Sequence, residues 1–431
     1  MIKSGFIGVG LVLAVMGTCA QAEDQWTVLK CGSVLDVENK KTLQNQQVLI
    51  KNDTITKIGT DVQAPGGAKV VDLSKSVCLP GLMDMHAHLV TDLTSATLDQ
   101  ASPTQSYGYN ALMAMRNAQT LLSVGFTTIR VPGDMGYYYP DIEVRNAINR
   151  GEYQGPRMLV APHAISALGG HGDYNSYAPD LPHKVLGPLI ADGPEEIRKA
   201  VREEIKYGAD WIKVMASGGV MSQHDDPEVA AYSPEEFKAF ADEAHRYKKK
   251  ITAHAHGDAA IRAAVEAGFD SIEHATMMEE ATAKLMAKQG TYYIPTLYVL
   301  DWILDRGATG GISANNYEKA QLVGTMHSDS VKMAYKHNIK ILIGSDPIFP
   351  MKEAIKEFQA LAKRIPDNWY VLQAGTINSA EMLGLKDKIG SIVVGKKADI
   401  VATPASPIDD ISNIEKVSFV MKSGDVVRND S

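Results

Sequence analysis

Between about Val77 and Leu383 the chain repeats one alternation, a short apolar strand followed by an amphipathic helix. The opening strand ends at His86 and His88. Phe126-Thr127-Thr128-Ile129-Arg130-Val131, Arg157-Met158-Leu159-Val160-Ala161, Trp211-Ile212-Lys213-Val214-Met215 and Lys250-Ile251-Thr252-Ala253-His254 follow. Then come Ser271-Ile272-Glu273-His274, Tyr292-Tyr293-Ile294-Pro295 and Lys340-Ile341-Leu342-Ile343-Gly344. The intervening stretches carry helical marks. Ile197, Val201 and Ile205 fall on one face, and Ser233-Pro234-Glu235-Glu236 combines a cap serine, a first-turn proline and a capping-box glutamate. Eight strand-helix units in about 300 residues predict an α/β fold of the (β/α)8 barrel kind. A doubly wound open sheet would be marked by a glycine-rich phosphate loop after the first strand, and none is there.

The two ends of the chain follow another rule. Val48-Leu49-Ile50, Thr54-Ile55-Thr56-Lys57-Ile58 and Val70-Val71 are β-branched or alternating, with turns at Asn52-Asp53 and Pro65-Gly66-Gly67. Near the other end, Val417-Ser418-Phe419-Val420-Met421 leads through Ser423-Gly424-Asp425 to Val426-Val427, which reads as a hairpin. We expect one small β domain from residues 23–76 and 384–431, wrapped around a barrel spanning 77–383.

Residues 1–22 read as a secretory signal: Lys3, an apolar run from Phe6 to Met16, and a small-residue cleavage site at Ala20-Gln21-Ala22. The run is short for a membrane span, which needs about 20 residues. We therefore expect a periplasmic or secreted protein. The net charge of −8 argues against nucleic acid or an anionic membrane as the partner and leaves a small molecule. Beyond the leader stand two cysteines, Cys31 and Cys78. An oxidising compartment would allow them to pair, but two buried thiols would read the same way.

Chemistry concentrates at the strand ends, where barrel enzymes keep their active sites. In Pro80-Gly81-Leu82-Met83-Asp84-Met85-His86-Ala87-His88, two imidazoles stand two residues apart and so share a strand face. His254-Ala255-His256 repeats the pattern. Lys213 lies inside an apolar strand, His274 closes another, and Asp346 follows the last in Gly344-Ser345-Asp346-Pro347. Each has a plain alternative: loop histidines, a lysine reaching solvent, an aspartate capping a turn. Together at matching strand ends they point to a cation site with nitrogen and oxygen ligands.

These motifs, with Ser217-Gly218-Gly219 and the tail Gly390-Ser391-Ile392-Val393-Val394-Gly395-Lys396-Lys397-Ala398-Asp399-Ile400-Val401, resemble the amidohydrolase superfamily of metal-dependent hydrolases. The resemblance covers nearly all of the chain after the leader. It implies a (β/α)8 barrel with a small urease-like β-sandwich and a site for two divalent ions, zinc above all. His86, His88 and Asp346 would hold one ion and His254 and His274 the other. Lys213, as a carbamate formed with CO₂, would bridge them. Asp346 would shuttle the proton of a metal-bridging hydroxide that attacks a C–N bond. Within the superfamily the chain looks most like Xaa-Pro and Xaa-Arg dipeptidases and their ochratoxin-cleaving relatives. Dipeptides or N-acyl amino acids are then the expected substrates, with His163, Tyr232, His256 and His171 as candidates to hold the substrate carboxylate. No arginine cluster marks that pocket. A cyclic-amide or imidazolone ring-opening hydrolase is the rival enzyme reading, and a non-catalytic periplasmic binding protein on the same fold the rival from another class. The family often forms oligomers, and nothing in the chain marks an interface.

Overall fold

The computed structural model describes residues 24–90, 106–134, 138–173, 175, 189–307 and 312–430. The expected leader, residues 1–22, lies outside them. Among the described residues no helix is long and apolar enough to cross a membrane.

The barrel is built from β5 (Leu82–Asp84), β6 (Phe126–Pro132), β7 (Arg157–Ala161), β8 (Ala164–Ser166), β10 (Trp211–Met215), β11 (Lys250–Gly257), β12 (Ser271–Met277) and β13 (Tyr292–Ile294). All its ladders are parallel: β5-β6-β7 in one sheet, and β13-β12-β11-β10-β8 in another with β9 (Leu189–Ile190) at its edge. Every residue of β6, β10 and β12 is buried, as a strand covered on both faces requires.

Two seams depart from regular ladders, and each has a physical cause. The third barrel strand is split: β7 pairs with β6, whereas β8 pairs with β10. Pro162, which has no N–H to give a ladder, stands at the break. Asp210 clasps the gap, donating its N–H to the Val160 carbonyl at 2.7 Å and accepting the Val160 N–H at 3.0 Å. The last strand, expected over 340–344, makes only one bridge, Tyr293 to Ile341. Its alternate N–H groups go elsewhere, from Ile341 to the Tyr370 hydroxyl and from Ile343 to the Ala374 carbonyl. The ring still closes through it. Leu342 donates to the Tyr293 carbonyl at 2.9 Å, and Met85 donates to the Ile343 carbonyl at 2.8 Å.

Both ends of the chain meet in one seven-stranded sheet. It consists of β1 (Trp26–Asp36), β2 (Lys41–Lys51), β3 (Thr54–Gly59), β4 (Lys69–Pro80), β14 (Ile400–Thr403), β15 (Phe419–Lys422) and β16 (Asp425–Asn429), ordered β16-β15-β14-β4-β1-β2-β3. The sandwich is thus a single sheet curled round its own core, in which Leu29, Val48 and Ile55 pack with Ile400, Phe419 and Met421. The β15–β16 turn places Ser423 and Gly424 at φ 50° and 83°, the twist that joins hairpin strands without splaying them. Gly32 sits beneath a bulge in β4, where a Cβ would lie 2.5 Å from the Ser74 carbonyl oxygen. The sheet is tied to the barrel by Asp399, which accepts from Arg157 at 2.7 Å and from the Ser423 N–H at 2.7 Å.

Cys31 and Cys78 form a disulfide across the parallel neighbours β1 and β4, with Cα atoms 6.0 Å apart. The bond closes a loop of 47 residues. Loop entropy puts its contribution at about 4 kcal/mol. The Cys31→Ser/Cys78→Ser double variant is expected to lose about that much stability in urea melts, and reduction of the unaltered protein should reproduce the loss.

Candidate active site

Asp84, the last residue of β5, sets the site's geometry. Its Oδ1 accepts the N–H groups of His86 and of Ser345, both at 3.0 Å, so one carboxylate pins two strand ends together. The Asp346 N–H donates to the His86 carbonyl at 2.7 Å. Gly344 makes the approach possible: a Cβ there would stand 2.2 Å from Ile294 and 2.8 Å from His86.

Three donor atoms converge as a result. His86 Nε2 and His88 Nε2 are 3.2 Å apart, and Asp346 Oδ1 lies 3.1 Å from the second and 3.7 Å from the first. Four-coordinate zinc with bonds of about 2.0–2.1 Å requires ligand-ligand edges of about 3.3 Å. Among the described residues this trio is the group of His, Cys, Asp and Glu donors close enough to hold one ion. Lys213, His254 and His274 line the same cavity.

Hydrogen bonds decide which imidazole nitrogen is left to ligate. His86 gives Nδ1–H to Glu273 Oε2 at 2.7 Å, which leaves the Nε2 lone pair facing His88 and Asp346. His274 Nδ1 pairs with Thr296 Oγ1 at 2.7 Å. His254 Nε2 meets the Gly218 carbonyl at 3.2 Å, so that nitrogen carries the hydrogen and Nδ1 keeps the lone pair. Burial and the charge of Lys213 lower the His86 pKa to about 4. Burial and neighbouring imidazoles take His254 and His274 well below the usual histidine value. Burial lowers Lys213 to about 8. Against the upward pull of burial, His86 and His88 hold Asp346 below the carboxylate range. His86, His254 and His274 are thus held in the neutral state that binds metal, whereas, against the downward pull of burial, Asp346 raises His88, which must lose its proton to ligate.

A model of the amidohydrolase family matches residues 77–427. The chain belongs to the amidohydrolase family. It is 31% identical over 427 residues to the ochratoxinase of Aspergillus niger, covering 93% of this chain and 86% of that protein. Its fold is close to that of a Xaa-Pro dipeptidase crystallised with methionine in the active site: TM-score 0.88, 32% identity, covering 94% of this chain and all of that one. A prolidase complexed with N-methylphosphonate-L-proline gives TM-score 0.87 and 31% identity over 94% of this chain and 100% of that one. This amidohydrolase is an enzyme that hydrolyses C–N bonds.

Of the four candidates for substrate contact, the structure brings two into the amidohydrolase cavity. His256 lines it, with Nδ1 on Thr276 Oγ1 at 2.9 Å. His171 lines it too, stacked on His254 with ring centroids 4.2 Å apart. The other two are not among its lining residues. His163 falls just after the break at Pro162, and its N–H and ring Nδ1 both bond Glu204, at 2.8 and 3.0 Å. Tyr232 is buried against Phe237 and Phe240 and does not line the cavity.

The sequence reading missed several groups. Glu273 was visible only as the polar residue of a buried strand, yet it links His86 to Arg130, whose Nη2 donates to Glu273 Oε1 at 2.5 Å. Arg130 also donates to the carbonyl of Met85, the residue before His86, at 2.7 Å. The cavity also has an apolar lining: Val299, Leu300 and Ile303, with Val323 and Ile348. His327 interrupts it, buried, with no partner for Nε2 among the described residues.

Proposed function

We propose that this amidohydrolase is an exported, binuclear zinc enzyme that cleaves the amide bond of dipeptides or N-acyl amino acids, ochratoxin-like amides included. The observation that carries this is the convergence of His86, His88, Asp346, Lys213, His254 and His274 on one cavity. Likeness to an ochratoxinase and to a Xaa-Pro dipeptidase supports the substrate class. His86, His88 and Asp346 would hold one ion, His254 and His274 the other, and Lys213 as a carbamate would bridge them. Such a pair acidifies water to a nucleophile near neutral pH and polarises the scissile carbonyl. Lys213 suits carbamate formation because burial lowers its pKa to about 8, and only the neutral amine reacts with CO₂. Asp346, ionised and beside the ligand cluster, is the group to take a proton on attack and pass it to the departing nitrogen. The apolar wall receives the flanking side chain, and His256 and His171 offer hydrogen bonds to the substrate's polar groups. The leader accounts for export, in keeping with a disulfide in the small sheet.

Metal analysis followed by a dipeptide and N-acyl amino acid library tests this. Two zinc ions per chain and release of free amino acids are expected. Chelation should abolish turnover, and zinc with bicarbonate should restore it. Lys213→Ala should lose both the metal pair and turnover. Ring-opening of cyclic amides without amide cleavage, or protein purified without metal, would overturn the proposal.

A further inference from the structure

We propose that Lys319, Asp225 and Ser222 are positioning residues that latch His171 over the metal-ligand face of the cavity. The inference rests on the proposed role of His171 as a substrate contact.

The latch joins three elements distant in sequence. Lys319 belongs to the helix Ala314–Lys336, which also supplies Val323 and His327 to the cavity wall. Its ammonium has three hydrogens, and three acceptors in the loop after β10 meet them. They are the Gly219 carbonyl at 3.1 Å, the Ser222 carbonyl at 3.0 Å and Asp225 Oδ1 at 2.7 Å. The Lys319 and Asp225 side chains are only 12% and 5% exposed, so this pair is sheltered from the screening that weakens surface ion pairs.

The other oxygen of Asp225 carries the connection inward. Oδ2 accepts from the Ser222 hydroxyl at 2.5 Å and from the Gly219 N–H at 2.9 Å. Ser222 has one hydrogen, and it goes to the carboxylate. The 2.6 Å contact from His171 Nδ1 to Ser222 Oγ must then be a donation from the ring. That sets Nδ1 as the protonated nitrogen and turns the ring flat onto His254, at 23° between planes. Gly219 completes the seat, because a Cβ there would lie 2.2 to 2.6 Å from the His171 ring atoms. Neither Lys319 nor Asp225 lines the cavity; both act through His171.

The test uses the metal-loaded enzyme and compares His171→Ala, Lys319→Met, their double variant and Lys319→Arg. On a dipeptide that the unaltered enzyme cleaves, each single change should raise KM roughly tenfold or more, with a smaller change in kcat. The double variant should be no worse than the poorer single, since both remove one function. Lys319→Arg should recover part of the loss, and Gly219→Ala, which displaces the ring with Lys319 intact, should mimic His171→Ala. Metal content should stay at two ions in all of them. Limited proteolysis gives a readout independent of turnover: Lys319→Met should be cut faster within 217–226. Multiplying effects in the double variant, or unchanged proteolysis of that loop, would overturn the latch. If the unaltered enzyme cleaves no amide, the functional reading fails, and the proteolysis result still decides the latch by itself.

Discussion

Asp346→Asn is expected to lower kcat/KM by roughly 10²- to 10⁴-fold, the range in which a proton-transferring side chain contributes. The fold should survive. Asp346 stands at φ 48°, a left-handed conformation that asparagine adopts more readily than alanine, and its N–H bond to the His86 carbonyl is untouched. The asparagine oxygen can still face His86 and His88, so the loss falls on proton transfer more than on assembly of the site. Steady-state kinetics beside a thermal melt separates these. Activity within tenfold of the unaltered enzyme would remove Asp346 from the proton path.

Glu273→Ala should instead strike stability first. Glu273 and Arg130 are fully buried, and removing the acid strands a guanidinium in the barrel core. Breaking a buried pair from one side costs about 3–5 kcal/mol. His86 would also lose the acceptor that fixes its tautomer, a change that typically costs about 10–100-fold in metal affinity. Replacing both partners, as Arg130→Met/Glu273→Leu, should recover much of the stability and none of the metal affinity. Urea melts and a metal titration measure the two effects independently. Arg130 and His86 hold Glu273 below the usual glutamate pKa in spite of burial. Its contribution is therefore present above the unfolded value, about pH 4.3, and drains away as the pH falls through the folded one. Unfolding at acid pH should be blunted in the double variant.

Much of the architecture was legible because periodicity reports which face of an element is buried. Strand-length apolar runs followed by helical stretches were enough for the barrel, and the two-residue spacing of His86 and His88 placed both rings on one side of the chain. The β-branched runs at the two ends read as strands, although pairing β4 with β14 needed the tertiary fold. His163 is placed by a local feature. Pro162 breaks the ladder after Ala161, and the next residue turns to Glu204 on a helix. Tyr232 is placed by a wider one: its position before a helix is a matter of sequence, but its ring packs against Phe237 and Phe240 of that same helix.

What the chain alone determined is the set of candidate ligand positions, since alternation along a strand and the strand-end rule depend only on local geometry. What only the folded molecule decided is how those side chains are held. The hydrogen-bond partner that selects each imidazole nitrogen comes from another element: Glu273 for His86, Thr296 for His274, Gly218 for His254. Lys319 reaches Asp225 across 94 residues of sequence. No periodic pattern encodes such meetings, because they depend on how separate helices and loops stack around the closed ring. The Cys31–Cys78 bond was settled in the same way, by the parallel pairing of β1 with β4.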